Sequence, residues 1–591
     1  MRFHFFVIPY IIGVVFLFTC IFIIFFKWLK SIKKEYVFDY KKLFSFNKFF
    51  KIIYEIFMES LLHRRIFKIN FLLGYMHSSF AFGWFLLIVF GAIELHIFGQ
   101  KPVNHLYEAI FFKFFHTKIV NDLHKYFNFI MDFLLLYILS GLLIAIVKRF
   151  YSKIVGIKKT TRLFWTDKIA LFSLWFIFPL RLLAESSYAA VYQHGSFLTN
   201  TVGTVLQNLF NINHYSIYFW WGYSFSLMVF FIFLPFSRYL HIFTEPLLIS
   251  LKNIGILSEK KLNGLAKVEI YSCSSCGICI DKCQLQFVIN KSKMIPVYLF
   301  QNERFRKIKK SDIYDCLMCK RCEEFCPVKI DIYNIKLSYR NLFLGKSNQN
   351  YDFLESIHNT TINTVEIAYY AGCMTHLVPS IIKAITGIFK ALNLNYLFID
   401  KDNTICCGRP LILAGKHEDA KILINKNKEI IKNSNISLLI TSCPICYKVF
   451  KEDYKLEINI LHHSEWLEKV IDDLNLTKKE IRAAYHDPCE LGRGLNIYES
   501  PRNVISKCLT LIDTKYSKNN SLCCGGSLGN FYLTENEKIK IAHNTYEHLM
   551  NNESEFLITS CPLCKKTFLK IANKPVLDIA EIVYKCISNK K

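Results

Sequence analysis

The chain has 591 residues, a formal net charge of +26 and 21 cysteines, of which all but Cys20 fall between Cys273 and Cys586. Its basic residues are spread along the chain, so the charge does not indicate a nucleic-acid-binding protein. The cysteines form CxxC and CC clusters, and the sequence predicts no cleavable signal peptide. This pattern excludes a secreted disulfide framework and favours metal ligation in a reducing compartment.

Five apolar runs are each long enough to span a bilayer, which takes about 20 residues. They lie at about residues 5–26, 71–98, 127–147, 169–191 and 215–236. The loops after the first and third runs hold eleven and seven Lys or Arg residues, whereas the loops after the second and fourth hold four and none. The positive-inside rule then predicts a multi-pass protein of the bacterial cytoplasmic membrane, with its N-terminus outside and everything after Arg238 in the cytoplasm.

Two histidines lie at the same predicted membrane depth: His77 at the cytoplasmic start of the second run, and His241 at the cytoplasmic end of the fifth. Neutral imidazoles that face each other from two helices can both ligate the iron of a haem b. A single membrane-edge histidine is otherwise typical of an interfacial residue. The matched depths favour haem ligation by His77 and His241, and an interfacial role stays open.

Residues 1–250, with LPFSRYLHIFTEPL as the closest stretch, resemble the five-helix cytochrome b subunit of respiratory nitrate reductase and the related membrane subunit of heterodisulfide reductase. In that family each of two haems is ligated by a histidine of the second span and one of the fifth. The resemblance implies that His77 and His241 hold the haem nearer the cytoplasm. The outer positions carry Leu87 and Tyr223, so we expect one haem, with His96 as a weaker alternative ligand, and a quinone as redox partner.

Arg181 and Glu185 are four residues apart in the fourth run, so they share one helix face and can neutralise one another. Ionisable residues inside a span are costly and are therefore candidate site residues. We expect a structural ion pair that faces the bundle, and the alternative is a polar lining for a quinone pocket.

Eight cysteines follow in two runs that are separated by a 32-residue insertion, CSSCGICIDKC and CLMCKRCEEFCP. A tight CxxCxxC turn presents three thiolates to one iron cubane, while a more distant cysteine reaches the other cluster. The spacing predicts two cubane [4Fe-4S] clusters, with zinc knuckles as the alternative. One cluster is assigned to Cys273, Cys276, Cys279 and Cys326, and the other to Cys316, Cys319, Cys322 and Cys283.

Past residue 365 the chain reads as α/β and repeats itself. LLITSCPICYKVF returns as FLITSCPLCKKTF, and ICCGRP returns as LCCGGS, about 117 residues later. Five soft ligands in each copy, two of them adjacent, suit an iron-sulfur site in which neighbouring thiolates bind different irons. The predicted catalytic and metal-ligating cysteines are Cys373, Cys406, Cys407, Cys443 and Cys446 in the first copy, and Cys489, Cys523, Cys524, Cys561 and Cys564 in the second.

This repeat resembles the CCG domain of heterodisulfide reductase. The resemblance implies one or two noncubane [4Fe-4S] clusters and the cleavage of a disulfide in two one-electron steps. The same ferredoxin and CCG arrangement is also similar to the iron-sulfur subunits of glycolate oxidase and lactate-utilisation systems, in which a separate flavoprotein supplies the electrons. Both functions stay open: a membrane-bound disulfide reductase, or an electron-transfer subunit for a flavoprotein 2-hydroxy-acid dehydrogenase.

The predicted fold is a membrane α-helical bundle of five transmembrane helices, followed by an α+β bis-[4Fe-4S] ferredoxin-type domain and two repeated α/β CCG domains. Their predicted ranges are residues 1–250, 260–345, 365–470 and 480–591. Electrons would pass between menaquinone in the bilayer and a disulfide or a flavoprotein in the cytoplasm. His486 is the best candidate to orient a ligand cysteine, and Cys508 and Cys586 are interpreted as packing residues.

Overall fold

The structure, a computed structural model, describes residues 3–35, 46–99, 105–116, 122–192, 195–209, 212–256, 262–305, 308–344, 365–402, 405–550 and 553–587. The predicted domain boundaries at residues 1, 260, 345 and 591 lie outside these ranges. The chain divides into two compact units. The N-terminal unit comprises Met1–Asp281 and Cys326–Ile330, and the C-terminal unit comprises Lys282–Phe325 and Asp331–Lys591.

The described part of the N-terminal unit contains five helices that are long and apolar enough to cross a membrane, with mean hydropathy between 1.5 and 2.8. This confirms the five predicted apolar helices. They are α1 (Val7–Glu35), α2 (Phe71–Phe98), α3 (Asp122–Phe150), α4 (Trp165–Tyr192) and α5 (Ile212–Phe233).

The bundle has an aromatic interior and an apolar outer face. Trp220, Phe178 and Phe230 are buried where α4 and α5 pack together. In contrast, Phe22 on α1 and Phe133 on α3 are 71% and 58% exposed. An exposed apolar surface of this kind indicates a contact with lipid or protein, which is compatible with a membrane anchor.

Shorter helices of the N-terminal unit connect and follow the five long ones. They are Phe46–Glu55, the π-helix Ile56–Leu61, Arg64–Ile69, Leu106–Ile110, Phe112–Phe115, Phe197–Leu209, the 3-10 turns Leu234–Phe236 and Arg238–Leu240, His241–Ile254, Gly264–Tyr271 and Ile278–Lys282. The fifth long helix therefore ends at Phe233, and His241 begins a separate helix instead of ending the fifth span as predicted. Pro235 explains the break because it lacks a backbone donor.

The ferredoxin-type segment is helical. Its helices in the C-terminal unit are Gln284–Ile289, Pro296–Phe305, Ser311–Tyr314, Arg321–Glu324 and Ile332–Leu344. Within residues 262–305 and 308–344 no strand is present, which differs from the predicted α+β domain. The cysteine loops turn too tightly to pair as strands, and the insertion between them forms the helix Pro296–Phe305.

Each cysteine-rich copy contains a four-stranded parallel sheet. The strands are β1 (Ile367–Tyr370), β2 (Leu397–Phe398), β3 (Leu438–Thr441), β4 (Asn459–His462), β5 (Arg482–His486), β6 (Thr510–Ile512), β7 (Phe556–Thr559) and β8 (Val576–Asp578). Their orders in the two sheets are β2-β1-β3-β4 and β6-β5-β7-β8. The central strands are apolar and buried, as expected for a parallel sheet covered by helices.

The helices of the two copies occupy corresponding places between the strands. The first copy has Cys373–His376, Pro379–Ala391, Arg409–Ala414, His417–Asn433, Pro444–Val449, the π-helix Phe450–Tyr454, His463–Val470 and the 3-10 turn Ile471–Asp473. The second has Gly492–Leu495, Glu499–Cys508, the 3-10 turn Lys518–Asn520, Glu535–Leu549, Pro562–Leu569 and Ile579–Cys586. Because the strands are parallel, the cysteines that follow β1, β3, β5 and β7 lie at the carboxyl edges of the sheets, where α/β folds bind ligands.

Candidate redox sites

All four cysteines predicted for the first cubane lie in the N-terminal unit. Cys273, Cys276 and Cys279 come from one loop, and Cys326 returns from the separate segment Cys326–Ile330. Burial, with the neighbouring thiols of Cys273 and Cys276, raises the pKa of Cys326 to about 12. The structure therefore brings Cys326 to the cysteines with which it was grouped.

All four cysteines predicted for the second cubane lie in the C-terminal unit. Cys283, Cys316, Cys319 and Cys322 line one cavity together with Lys336. Burial, with the thiols of Cys319 and Cys316, raises the pKa of Cys283 to about 12. Such protonated buried thiols need a cation to stabilise the thiolate form, which bound iron provides.

Lys336 is a buried cation beside the second cubane site that the sequence analysis missed. Its Nζ lies 3.1 Å from Cys316 Sγ and donates to the carbonyl of Met294 at 2.9 Å. Burial acts to raise the pKa of Cys316, but the charges of Lys336 and Arg340 outweigh it and lower that pKa. The only signal in the sequence is a lysine 20 residues after Cys316, on the helix Ile332–Leu344.

The five cysteines of the second copy line one cavity. They are Cys489, Cys523, Cys524, Cys561 and Cys564. Hydrogen bonds from Cys523 and Cys564 lower the pKa of Cys524 to about 6, so Cys524 ionises most readily among the five cysteines of this copy. The donor set is thus five thiols around one cavity, which fits an iron-sulfur group.

The cysteines of the first copy also lie together. Cys407 accepts hydrogen bonds from Cys406 and Cys446, which lower its pKa. Gly372, with φ of +81°, leaves room for them: a Cβ there would lie 2.8 Å from Cys446 Sγ and 3.4 Å from Cys443 Cβ. Asp400 fixes this turn by accepting from the N–H groups of Ala371 and Gly372 at 2.8 and 2.7 Å.

Within the described residues, no three or more His, Cys, Asp or Glu side chains converge on one metal-ion position. A [4Fe-4S] group binds its thiolates at different irons, so its ligands surround a volume and need not meet at one point. Thiols around a cavity, as in the second cubane site and the second copy, suit this geometry.

The second cubane site adjoins the second cysteine-rich copy. Gln284, directly after Cys283, accepts from the backbone N–H of Cys523 at 2.6 Å and donates to the carbonyl of Cys523 at 3.3 Å. Arg493 donates to the carbonyl of Cys319 at 2.7 Å and to that of Ser521 at 2.8 Å. Leu317 lines both cysteine cavities. The contacts of Gln284 with Cys523 and of Arg493 with Cys319 were not predicted, because they join residues more than 170 positions apart.

Three residues singled out outside the cysteine motifs have defined partners. His486 contacts the carbonyl of Leu522, next to Cys523, at 3.1 Å, and burial lowers its pKa to about 4. His486 therefore positions the paired-cysteine loop. Cys508 and Cys586 are buried side by side, and the Cys586 thiol lies 3.9 Å from the Cys508 carbonyl oxygen.

The two predicted haem ligands, His77 and His241, lie close enough in the N-terminal unit for their charges to interact. His77 Nε2 is buried and has no hydrogen-bond partner among the described residues. His241 Nδ1 lies 2.7 Å from the carbonyl of Arg238, so it donates there and its lone pair is on Nε2. An orphaned imidazole nitrogen and a second imidazole of fixed tautomer fit the donor set of a haem b.

A third histidine, His63, was missed by the sequence analysis. Its ring stacks on that of His77 with centroids 5.3 Å apart and an interplanar angle of 27°. The two stacked rings face each other with their flat surfaces. Their nitrogens therefore do not point at a common iron between them, so His63 and His77 do not suit a shared haem. The positions for an outer haem, Leu87 and Tyr223, are both buried, and His96 is exposed on α2.

Two cations interact both with His77 and with the loop of the first cubane. Lys148 and Arg238 are both within electrostatic range of His77. Lys148 Nζ donates to the carbonyl of Cys276 at 3.5 Å, and the charge of Arg238 interacts with Cys273. The N-terminal unit therefore brings the histidine site and the first cysteine loop to the same two positive charges.

The predicted ion pair in the fourth span is present: Arg181 Nε donates to Glu185 Oε1 at 2.9 Å, and both side chains are buried. Glu185 also lines a polar cavity with Lys113, His124 and Asp132. The ion pair therefore adjoins a polar cavity, and a quinone pocket there stays a prediction.

Comparison with known families identifies the cysteine-containing segments. Residues 269–330 match the family described as 4Fe-4S dicluster domain, and residues 367–451 and 483–569 match the cysteine-rich domain family CCG. The chain thus contains a ferredoxin-type segment followed by two CCG domains, which confirms this part of the sequence analysis.

Several curated relatives are oxidoreductases or components of them. The chain is 26% identical to a component of the dihydromethanophenazine:CoB–CoM heterodisulfide reductase of Methanosarcina acetivorans, over 34% of this chain and 53% of the relative. It is 27% identical to a component of the fumarate reductase (CoM/CoB) of Methanothermobacter marburgensis, over 36% and 43%. It is 24% identical to an EtfAB:quinone oxidoreductase of Syntrophomonas wolfei, over 38% and 34%. The matched part spans about half or less of each relative's length.

Proposed function

We propose that the protein is a membrane-bound iron-sulfur oxidoreductase that carries electrons between a menaquinone pool and a disulfide reduced at the CCG domains. The observation that carries this proposal is the double hydrogen bond between Gln284 and Cys523, which joins the second ferredoxin site to the second CCG site. A relay needs its two sites close together, and this contact holds the two cysteine loops side by side. The likeness to a heterodisulfide reductase component supports a disulfide as the substrate class.

The ligand assignments belong to this proposal. Cys273, Cys276, Cys279 and Cys326 would hold one cubane, and Cys283, Cys316, Cys319 and Cys322 the other. The ten CCG cysteines would hold noncubane [4Fe-4S] groups, and His77 and His241 would hold haem b. These groups supply one-electron transfer when bound. The chain itself fixes the imidazole tautomer through Arg238 and stabilises negative charge at Cys316 through Lys336.

The overall reaction balances without another reductant. A quinol gives up two electrons and two protons to become a quinone, and a disulfide takes up two electrons and two protons to become two thiols. The five-helix bundle would place quinol oxidation in the bacterial cytoplasmic membrane, with the CCG domains in the cytoplasm. The polar cavity beside Glu185 supports a quinone-head-group site within the bundle.

The test uses the anaerobically purified full chain with its haem reduced. We expect one disulfide from a panel to reoxidise the haem rapidly, and Cys407→Ser and Cys524→Ser to abolish this reaction. Cys508→Ser changes a buried cysteine outside the motifs and should leave it unchanged. Failure of every disulfide to reoxidise the haem would contradict disulfide reduction.

A second candidate is an electron-transfer subunit that docks a cytoplasmic flavoprotein, such as a 2-hydroxy-acid dehydrogenase. It is favoured by the likeness to a protein named as an EtfAB:quinone oxidoreductase. In this case no disulfide reoxidises the haem, whereas lactate or glycolate reduces it once membrane-free cell extract is added. A haem that responds to neither disulfides nor hydroxy acids would exclude both candidates.

A further inference from the structure

A buried ion pair connects the two CCG domains. Arg409, two residues after Cys407, is fully buried, and its Nη2 donates to both carboxylate oxygens of Glu490 at 3.1 and 3.0 Å. The same nitrogen donates to the Tyr333 hydroxyl. Glu490 directly follows Cys489. The pair therefore links the paired-cysteine loop of the first copy to the first cysteine of the second.

A second buried cation shares the same carboxylate. Lys448, two residues after Cys446, is 1% exposed and its Nζ lies 3.4 Å from Glu490 Oε2. The Nε and Nη1 of Arg409 and the Nζ of Lys448 have no hydrogen-bond partner among the described residues. Two buried cations thus face the carboxylate of Glu490, which is 13% exposed. The more exposed Glu452 also lies 3.8 Å from Lys448 Nζ. Buried cations are costly unless negative groups lie close by.

The charges are distributed unequally between the copies. Arg409 and Lys448 belong to the first copy, and Glu490 belongs to the second. The repeat places Gly526 in the second copy where the first has Arg409, and Met374 in the first copy where the second has Glu490. Lys448 has a counterpart in Lys566 of the second copy. The copies therefore differ in Arg409, a cation next to the paired cysteines of the first, and in Glu490, a carboxylate next to the first cysteine of the second.

Other charges near the cysteines have partners that limit their effect on this asymmetry. Asp400, near Cys373, lies 3.5 Å from His376 and accepts from two backbone N–H groups. Arg493, near Cys489, donates to the carbonyls of Cys319 and Ser521. The group Arg409, Lys448 and Glu490 differs from these because it links the cysteine loops of the two copies.

We propose that this charge group makes the iron-sulfur site of the first copy easier to reduce than that of the second. Reduction adds negative charge, which nearby cations stabilise and a nearby carboxylate destabilises. Electrons enter the second copy through the Gln284 contact and then collect at the first. This inference rests on the proposed function, because it assumes one iron-sulfur group in each copy.

The test is a redox titration of the purified full chain followed by electron paramagnetic resonance. Cys407→Ser and Cys524→Ser identify which signal belongs to which copy. Arg409→Gln should shift the first-copy potential to more negative values, and Glu490→Gln should shift the second-copy potential to more positive values. Arg409→Lys keeps the charge and should restore the first-copy potential. Arg482→Gln, which breaks an exposed pair with Glu553, is the control.

Shifts of opposite sign at different copies would not arise from a merely structural role. Equal shifts at both copies, or none, would overturn the inference. If Arg409→Gln fails to bind iron, Lys448→Gln must give the negative first-copy shift, and an unchanged potential there overturns the inference. The redox potentials are measured without substrate. A protein that shows the expected shifts but does not react with any disulfide would therefore contradict the proposed function and leave this inference standing. Absence of an iron-sulfur signal from either wild-type copy overturns the inference.

Discussion

Gln284 binds both backbone polar groups of Cys523, accepting from its N–H at 2.6 Å and donating to its carbonyl at 3.3 Å. The same carbonyl accepts from the Thr545 hydroxyl at 2.7 Å. Cys523 is the first of two adjacent cysteines, and Gln284 directly follows a cysteine of the second cubane site. Movement of one loop therefore displaces the other.

Gln284→Ala should slow electron transfer into the second copy and lower its iron content. The variant leaves buried backbone groups of Cys523 with fewer partners, at a cost of about 1–3 kcal/mol for each group that loses its bond. Iron analysis and the rate of reduction of the second-copy signal would measure the effect. Gln286→Ala, which removes only a side-chain bond to Asn290, is the matched control. Equal behaviour of the two variants would contradict the prediction.

Lys336→Met should shift the potential of the second cubane to more negative values. The variant keeps most of the side-chain volume but removes the positive charge beside Cys316, so the reduced state loses its stabilisation. A redox titration of the ferredoxin signals would detect the shift. Lys309→Met removes an exposed lysine of the same segment and should cause none. The prediction is wrong if both lysine variants retain the wild-type potential.

The potential of the proposed haem should depend on pH through Glu245. This glutamate lies one helical turn after His241, and burial raises its pKa to about 8. Below pH 8 it is protonated and neutral, and above pH 8 its negative charge opposes haem reduction. The potential should therefore fall as pH rises from 7 to 9, by at most about 59 mV per pH unit.

Glu245→Gln should remove this slope, because glutamine does not ionise. The exposed residue Glu553 provides a control, and Glu553→Gln should keep the slope. Optical redox titrations at pH 7, 8 and 9 would compare the three proteins. A slope that persists in Glu245→Gln would assign the proton to another group.

Gly372→Ala should abolish iron binding by the first copy alone. The added Cβ would lie 2.8 Å from Cys446 Sγ, at a φ of +81° that alanine rarely adopts. We expect about 1–2 kcal/mol of backbone strain and about 1–3 kcal/mol of overpacking. Gly255→Ala separates the two effects, since Gly255 has a φ of +95° with nothing within 4 Å of the added atom. Iron analysis and unfolding curves would compare them, and full iron content in Gly372→Ala would refute the steric argument.

The sequence predicts the features that depend on composition and local spacing. Apolar length is sufficient to find the five long helices, and repeated cysteine spacing is sufficient to find the two CCG domains. Long-range contacts leave no such pattern: Arg409 and Glu490 are 81 residues apart, and each is an ordinary charged residue until the fold buries it. The helical ferredoxin segment was also missed, because cysteine spacing constrains ligand positions and leaves the connecting structure open.

The segment Cys326–Ile330 belongs to the N-terminal unit although it follows part of the C-terminal unit along the chain. This order has consequences for the synthesis of the protein and for any division of its gene. During synthesis the first cubane site would remain one thiol short until residue 326 had left the ribosome, although its other three cysteines are made by residue 279. A gene split between residues 283 and 325 would separate these cysteines onto two polypeptides. A split that leaves the first site whole on the membrane polypeptide would therefore have to fall after residue 330, and it would then remove Cys283, Cys316, Cys319 and Cys322 from the CCG polypeptide.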